Sequence, residues 1–278
     1  MVTFETKVWE KDWEYILKGN YLDEMIASCH HKFDKKTIII NNVKDRNEVE
    51  KYCEEKIEQG IIDSYFVAED YKTEVLKHFD IEIESFRGGY YYSIAELVGI
   101  YVCETDYLFH LSSDTFLLSN NDRDWISEEI CMMNDNENIW VGCPKPWWVN
   151  NKSSNDFYLC SNFSDQAYLI RKKDFINPIY SEKHKDSEAF PKYGGELFEK
   201  RVHSYMNNHQ KVRLNYTKTV FRSVNFPKSW FSRKILRHFI IYLRISEMKG
   251  RWYIVFLMRI VRWPRKMIGG MIRKIKLS

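Results

Sequence analysis

Short apolar runs alternate along the first half of this chain with apolar stripes at helical spacing, and that alternation restricts the fold more than any other feature. Val2–Val8 alternates as a strand does, and Leu22, Met25, Ile26 and Cys29 then fall at i, i+3, i+4 and i+7, the stripe of an amphipathic helix. Residues 37–40 read as a second, buried strand that stops at Asn41-Asn42. A helix carrying Val49, Tyr52, Cys53 and Ile57 follows before Gly60, and 61–67 read as a third strand. Parallel strands need a crossover, which a helix supplies, so this order predicts βαβ units. The expected fold class is α/β: a Rossmann-like single domain over residues 1–226 with a mainly parallel mixed sheet.

Residues 106–118, DYLFHLSSDTFLL, are the stretch that organises the rest. A short apolar run empties into Ser112-Ser113-Asp114 and turns apolar again. Such a run fits a buried strand, and ligands of open α/β sheets bind in the crevice beyond the carboxyl ends of the strands. Asp114 is therefore the first candidate for site chemistry. Ser and Asp also favour turns and N-caps, so a capping role stands beside the chemical one. Upstream, residues 86–93 (FRGGYYYS) read as a loop opening a helix whose stripe is Ile94, Leu97, Val98 and Tyr101. Gly88 and Gly89, with Ser93 as N-cap, would let backbone N–H groups approach an anion. A plain turn explains the same glycines.

Beyond Asp114 the pattern predicts a helix over 125–133, a strand over 139–143 and a long aromatic, polar loop over 144–163 containing Trp147, Trp148, Phe157 and Tyr158. Loops of that length are usually functional or disordered, and exposed Trp rings either stack on sugars or pack under the loop. A further strand is expected over 166–171, after Ser164-Asp165. Residues 192–196 (KYGGE) open a helix with the stripe Phe198, Val202, Tyr205 and Met206, and 216–222 complete the sheet.

The 278 residues, 44% hydrophobic and 29% charged, suffice for one folded domain plus an appendage. The net charge of +3 conceals a division: residues 228–278 hold 14 Lys/Arg against Glu247 alone, +13, which leaves −10 on residues 1–227. A basic tail on an acidic body points to an anionic membrane surface or to nucleic acid. On a wheel stepping about 100° per residue, Arg233, Arg237 and Arg244 lie within about 40° of one another, with Ile235, Leu236, Phe239, Tyr242 and Leu243 opposite. Phosphate contacts do not require so broad an apolar face, so a membrane is expected and nucleic acid is not. Residues 252–258 form the longest apolar run of the tail, well short of the roughly 20 residues that spanning needs. The tail, 227–278, is therefore expected to lie in the membrane interface as amphipathic helices, with Trp230, Trp252 and Trp263 at headgroup depth. An ordinary basic helix packed on the domain is the other reading. Six cysteines without CxxC spacing read as reduced thiols, and the N-terminus has no basic segment followed by an apolar one. The expected location is cytoplasmic, peripheral on the inner face of the cell membrane.

Strand, Asn-rich strand end, Gly-loop helix and then YLFHLSSDTFL, in that order, resemble the GT-A glycosyltransferases over residues 1–226. The match is to the bacterial nucleotide-sugar enzymes similar to glycosyltransferase family 2. The resemblance implies a GT-A fold and transfer of a sugar from a nucleotide-sugar donor, UDP-linked, to a glycan or lipid-linked acceptor in cell-surface polysaccharide synthesis, with inversion. In that family a strand-terminal DxD motif holds a divalent cation, Mn2+ or Mg2+, on the donor diphosphate. Here Ser112-Ser113-Asp114 keeps only the last acidic position, which makes Asp114 the implied metal ligand. Thr6, Asn41, Asn42 and Asp45 are the implied nucleoside contacts, and Gly88, Gly89, Ser93, Ser113, Trp147 and Trp148 complete the implied substrate-binding set. The family's base stands at the start of the helix after the acceptor loop, which points to Glu196. Asp165 is the alternative base or an acceptor contact, and Glu199 is third. These roles agree with the chemistry, since a leaving diphosphate needs a cation or fixed dipoles and an attacking hydroxyl needs a base. Glu196 also reads simply as an acid complementing a helix dipole.

Two other classes stand beside this one. A sugar nucleotidyltransferase would show a Gly-rich, basic phosphate loop near its N-terminus, and residues 1–20 have none. A catalytically inactive, membrane-bound carbohydrate-binding protein would keep the aromatic residues and need neither Asp114 nor Glu196.

Overall fold

The computed structural model describes residues 1–119, 121–149, 155–189, 195–227 and 229–248, which fall in two compact units, Met1–Lys228 and Ser229–Ser278. In the first unit the chain runs β1 (Val2–Val8), α1 (Trp13–Leu17), α2 (Tyr21–Ala27), β2 (Lys35–Ile40), α3 (Arg46–Glu58), β3 (Ser64–Val67), α4 (Ala68–His78), α5 (Ile94–Val102) and β4 (Tyr107–Leu111). It continues through β5 (Thr115–Ser119), α6 (Trp125–Asp135), β6 (Ile139–Pro146), β7 (Phe157–Cys160), β8 (Ala167–Arg171), α7 (Lys172–Phe175), α8 (Phe198–Asn208) and β9 (Val212–Ser223). In the second unit, α9 (Trp230–Lys234) and α10 (Arg237–Met248) are described. The expected interfacial residues Trp252 and Trp263 lie outside the described residues.

The strands form one mixed sheet in the order β3-β2-β1-β4-β8-β6-β9-β5, with β7 added against β9. The stretch β3-β2-β1-β4 is parallel throughout. Strand β8 enters antiparallel between β4 and β6, β6 and β9 are parallel, and β5 and β7 run antiparallel to β9. This mixed α/β sheet is the architecture that the resemblance implies. The chain moves outward from β1 through β2 to β3, then returns to the other side of β1 as β4. That reversal is a topological switch point, and it opens a crevice beyond the carboxyl ends of β1 and β4.

Local sequence explains the elements that flank this crevice. Ile38, Ile39 and Ile40 are β-branched and buried, as a covered parallel strand requires. Strand β1 alternates, with Phe4, Thr6 and Val8 on one face and Thr3, Glu5 and Lys7 on the other. On the first face Phe4, Phe33, Phe109, Trp125 and Tyr216 form a continuous series of ring contacts at 5.3–6.0 Å. Asp45 caps α3, its carboxylate accepting the Glu48 N–H at 3.0 Å, and Asp124 caps α6 through Ser127 at 3.2 Å. Each cap contributes about 1 kcal/mol.

The structure departs from the sequence pattern in four places. Strand β3 begins at Ser64 rather than 61, because the N–H groups of Ile61 and Ile62 turn back to the Lys56 carbonyl and close α3 around Gly60, whose φ is 71°. The apolar residues after Asp114 form β5, and the stretch read as a long loop contains the end of β6 and the whole of β7. Residues Ile83–Tyr92 are 3-10 turns kinked at Arg87, φ 49°, rather than an open loop. Helices α1 and α4 carry no clear stripe and were not expected from the pattern.

Candidate functional site

Ser112, Ser113 and Asp114 form the tight turn between β4 and β5, closed by the Thr115 N–H on the Ser112 carbonyl at 2.8 Å. The turn is anchored on one side by the Ser112 N–H on the Gln166 carbonyl, 2.8 Å, and on the other by Val224, whose N–H reaches the Asp114 carbonyl. Ser223 donates its hydroxyl to one Asp114 carboxylate oxygen at 2.8 Å. Asp114 is half-buried. It thus stands at the strand end, in the crevice, with one oxygen oriented by Ser223.

A second carboxyl group faces this turn, and the sequence reading passed over it. Asp12 lies four residues beyond the end of β1 and is buried. It accepts the Trp9 N–H at 2.8 Å and the Ser113 hydroxyl at 2.5 Å. Burial pushes its carboxyl up to about 7, and the neighbouring charge of Asp114 adds to the rise while the bonds from Ser113 and Trp9 oppose it. The same two acids, after burial itself, hold the Tyr21 phenol far above its ordinary range. Burial thus favours the protonated form of Asp12, which stands close enough to Asp114 to sense its charge.

Beside this turn a second acidic pair forms. Asp165 precedes β8 and is tied to the turn, its carbonyl accepting the Ser112 hydroxyl at 3.2 Å. Glu199, in the first turn of α8, accepts the Asp165 backbone N–H. Burial first, and then the charge of Asp165, push the Glu199 carboxyl up to about 9; Arg213 and Lys7 pull the other way. Lys7 acts on both acidic pairs, since its charge is felt at Asp12 and at Glu199, and it is itself ion-paired with the buried Glu96 on α5. Beneath the turn, Glu5 bonds His110 Nδ1 at 2.5 Å, and His110 Nε2 lies 3.4 Å from the Ser112 hydroxyl.

The remaining candidates fall into four groups. Thr6 and Ser93 have no accessible surface. Thr6 donates to the Leu111 carbonyl at 2.6 Å, and Ser93 accepts the Phe198 N–H at 2.9 Å. These hydroxyls hold strand and helix ends together instead of meeting a ligand. Asn41 is buried and donates to the Tyr91 carbonyl at 2.7 Å, Asn42 takes φ 51° just after β2, and Asp45 is the cap of α3. Gly88 and Gly89 belong to the kinked 3-10 turns, Gly88 exposed and Gly89 buried. Trp147 and Trp148, 54% and 56% exposed, meet edge to face; Trp148 also packs edge-on against Phe221 at 5.6 Å, and Arg222 lies 5.2 Å from the Trp147 ring.

Glu196 is placed elsewhere. Its N–H bonds the Ser85 carbonyl at 2.8 Å and its carboxylate pairs with Lys200 at 3.1 Å, while Lys200 also holds Glu188. None of its bonds reaches Asp165 or the Asp114 turn. Gly194, beside it in the sequence motif, lies outside the described residues. Among the described residues no group of three His, Cys, Asp or Glu side chains converges as a metal site. Asp114 and Asp12 nevertheless offer hard oxygen donors of the kind Mg2+ and Mn2+ take. All six cysteines are free thiols, four of them buried.

The chain matches no protein-family model and no curated protein by sequence. Among solved structures it is similar to GalNAc-T7 with UDP, GalNAc and Mn2+, at 11% identity and a TM-score of 0.48 over 80% of this chain and 43% of that one. It is also similar to glucosyl-3-phosphoglycerate synthase from Mycobacterium tuberculosis in complex with Mn2+, UDP and glucosyl-3-phosphoglycerate, at 11% identity and a TM-score of 0.44, covering 90% of this chain and 79% of that one. A third is the galactosyltransferase LgtC in complex with donor and acceptor sugar analogs, 13% identical with a TM-score of 0.41, over 73% of this chain and 70% of that one. This chain spans less than half the length of the first of them.

Proposed function

We propose that this chain is an inverting GT-A glycosyltransferase that moves a sugar from a UDP-linked donor to a hydroxyl of a glycan or lipid-linked acceptor in cell-surface polysaccharide synthesis. The observation that carries the reading is that two acidic pairs, Asp12 with Asp114 and Asp165 with Glu199, both adjoin the turn at the end of β4, at the switch point. An inverting transfer needs both, a place where a leaving diphosphate is neutralised and a base for the incoming hydroxyl.

Asp114, with Asp12 beside it, would hold Mn2+ or Mg2+, taking its other ligands from the diphosphate and water; bound there, the cation offsets charge on the leaving group. Ser223 and Ser113 orient the two carboxyl groups. Asp165 is the base in this reading. Burial and the neighbouring charge of Asp165 favour the protonated form of Glu199, which leaves Asp165 as the group that takes the acceptor proton in this reading. Trp147 and Trp148 supply flat apolar surface for a sugar ring.

Association with an anionic cytoplasmic leaflet belongs to the same reading. Phe231 on α9, Ile235 and Leu236 between the helices, and Phe239 and Tyr242 on α10 are exposed, amid a tail of charge +13. Among the described residues no helix is long and apolar enough to cross a membrane.

A thermal-shift panel of nucleotide sugars, with and without Mn2+, followed by turnover of the best donor, tests the proposal. Binding to the folded state alone raises the melting temperature. Asp114→Asn should then remove most turnover with the fold intact, and Asp165→Asn should lower kcat by about two to four decades, as expected for a lost base. Near-normal turnover in Asp114→Asn would overturn the donor site. If Glu196→Gln lost activity and Asp165→Asn did not, the base would return to Glu196.

A further inference from the structure

A second pocket opens at the opposite end of the parallel strands from the crevice. It is a cavity of about 230 Å³ between the sheet and α5, with a rim at Lys35, Asp63 and Glu104 and a floor at Thr3, Glu5 and Thr37. The three rim residues are exposed and the three floor residues are buried. Strands covered on both faces normally read as apolar runs, yet the face of β1 toward α5 carries Thr3, Glu5 and Lys7 in succession. The polar face is a built feature, because α5 accommodates it with Gly99: a Cβ there would sit 3.2 Å from the Glu5 carboxyl carbon.

Glu5 is 1% exposed. One of its carboxylate oxygens bonds His110, and the other has no hydrogen-bond partner among the described residues although it is fully buried. An orphaned oxygen on a buried carboxylate carries an uncompensated desolvation cost. It marks a position where a donor belongs.

The hydroxyls around it decide what kind of donor. Thr105 donates its proton to the Tyr107 carbonyl at 2.8 Å, so in the 2.7 Å contact between Thr3 and Thr105 it is Thr3 that donates. Thr3 is left as an acceptor only. Thr37 and Ser64, 3.1 Å apart, use one of their two protons on each other. The floor therefore offers several acceptors against one free hydroxyl proton, and three carboxylates on floor and rim face a single lysine. An anion is repelled, and a polyol brings as many acceptors as donors. A primary ammonium has three donors and no acceptor.

We infer that this pocket binds a small primary ammonium compound, its nitrogen on Glu5 and flanked by Thr3 and Thr37. The volume of about 230 Å³, below the range of about 300–1,000 Å³ usual for drug-sized ligands, has room for roughly eight heavy atoms at about 30 Å³ each.

Titration of the full-length protein with ethanolamine hydrochloride, followed by amide NMR at constant pH and ionic strength, is the test, with ethylene glycol as the neutral control of equal size. Saturable shifts at the Thr3, Ser64 and Gly99 amides are expected with ethanolamine, at least tenfold weaker with ethylene glycol. Glu5→Gln should weaken ethanolamine at least tenfold. Should that variant fail to fold, Thr37→Val, which keeps the shape and removes one acceptor together with the bond to Ser64, should weaken binding several-fold in protein that remains folded by its amide spectrum. The inference is overturned if ethanolamine produces no saturable shifts, if ethylene glycol binds equally well, or if the folded variants bind as the parent does.

Discussion

Replacing Glu199 by Gln tests the acidic pair by stability alone, before any substrate is known. Gln copies the shape of the protonated carboxyl and cannot ionise. In the folded protein the Glu199 carboxyl rises from 4.5 to about 9, through burial and then the charge of Asp165. Between those values the folded state binds the proton and the unfolded state does not, so stability falls as pH rises. The favourable state is complete below about pH 4.5, and the loss is complete above about pH 9. Each pH unit within the window is worth about 1.36 kcal/mol; at pH 7 the face value is about 3 kcal/mol, and partial exposure of the side chain reduces it to about 1–3 kcal/mol. Urea unfolding of parent and variant from pH 5 to 9 should show nearly equal stability at the acid end and a variant gaining steadily on the parent toward pH 9. Asp165→Asn in the parent should remove part of the slope, because it removes the second cause. A stability difference that stays flat from pH 5 to 9 would refute the raised Glu199 carboxyl.

The other expectations are briefer. Gly195→Ala places a Cβ 1.9 Å from the Ser85 carbonyl oxygen, a backbone atom that cannot step aside, so urea unfolding should show a loss of about 2 kcal/mol or more. Thr6→Val keeps the shape of a buried side chain but removes its bond to Leu111; a loss of about 1–2 kcal/mol is expected, and donor affinity unaffected beyond that loss would agree with a purely structural threonine. Trp147→Ala and Trp148→Ala should raise the acceptor KM and leave donor binding unchanged, measured by initial rates. A chain ending at Pro227 should fail to pellet with anionic vesicles that the full-length protein binds. Each basic residue near such a surface contributes about 1 kcal/mol within a Debye length of about 8 Å, so high salt should release the full-length protein only in part, the apolar face being unscreened.

Strands were legible in this sequence where burial on both faces left one signal. Ile38 to Ile40 and Phe109 to Leu111 could be nothing but strand, and both are. Helix α4 escaped because its buried residues are few, Ala68, Val75 and Leu76 in a run rich in charge. Strand β7 escaped because it is an edge strand whose residues are half-buried or exposed, so its pairing with β9 left little mark in the pattern. The boundary of β3 escaped for another reason: Ile61 and Ile62 look like strand, but their amides are taken by the end of α3.

The site was half legible, and the missing half has one cause. Asp114 could be found because it ends an apolar run, and that is a local signal. Asp12 has none, lying in the polar stretch WEKDW. It becomes visible only when β1 and β4 are placed side by side, which brings it to Ser113 across 101 positions of sequence. Glu196 and Glu199 show the same limit at shorter range. Both stand at the start of α8, where an acid is favourable for the helix dipole alone, and no pattern separates them. What distinguishes them is direction: Glu196 turns to Lys200 and Glu188, and Glu199 turns to Asp165. A switch point gathers residues from strand ends far apart in sequence, so chemistry placed there is fixed by topology, and sequence reading gains most by asking which residues lie just past each parallel strand. By that rule Asp12, four residues beyond β1, would have been named together with Asp114.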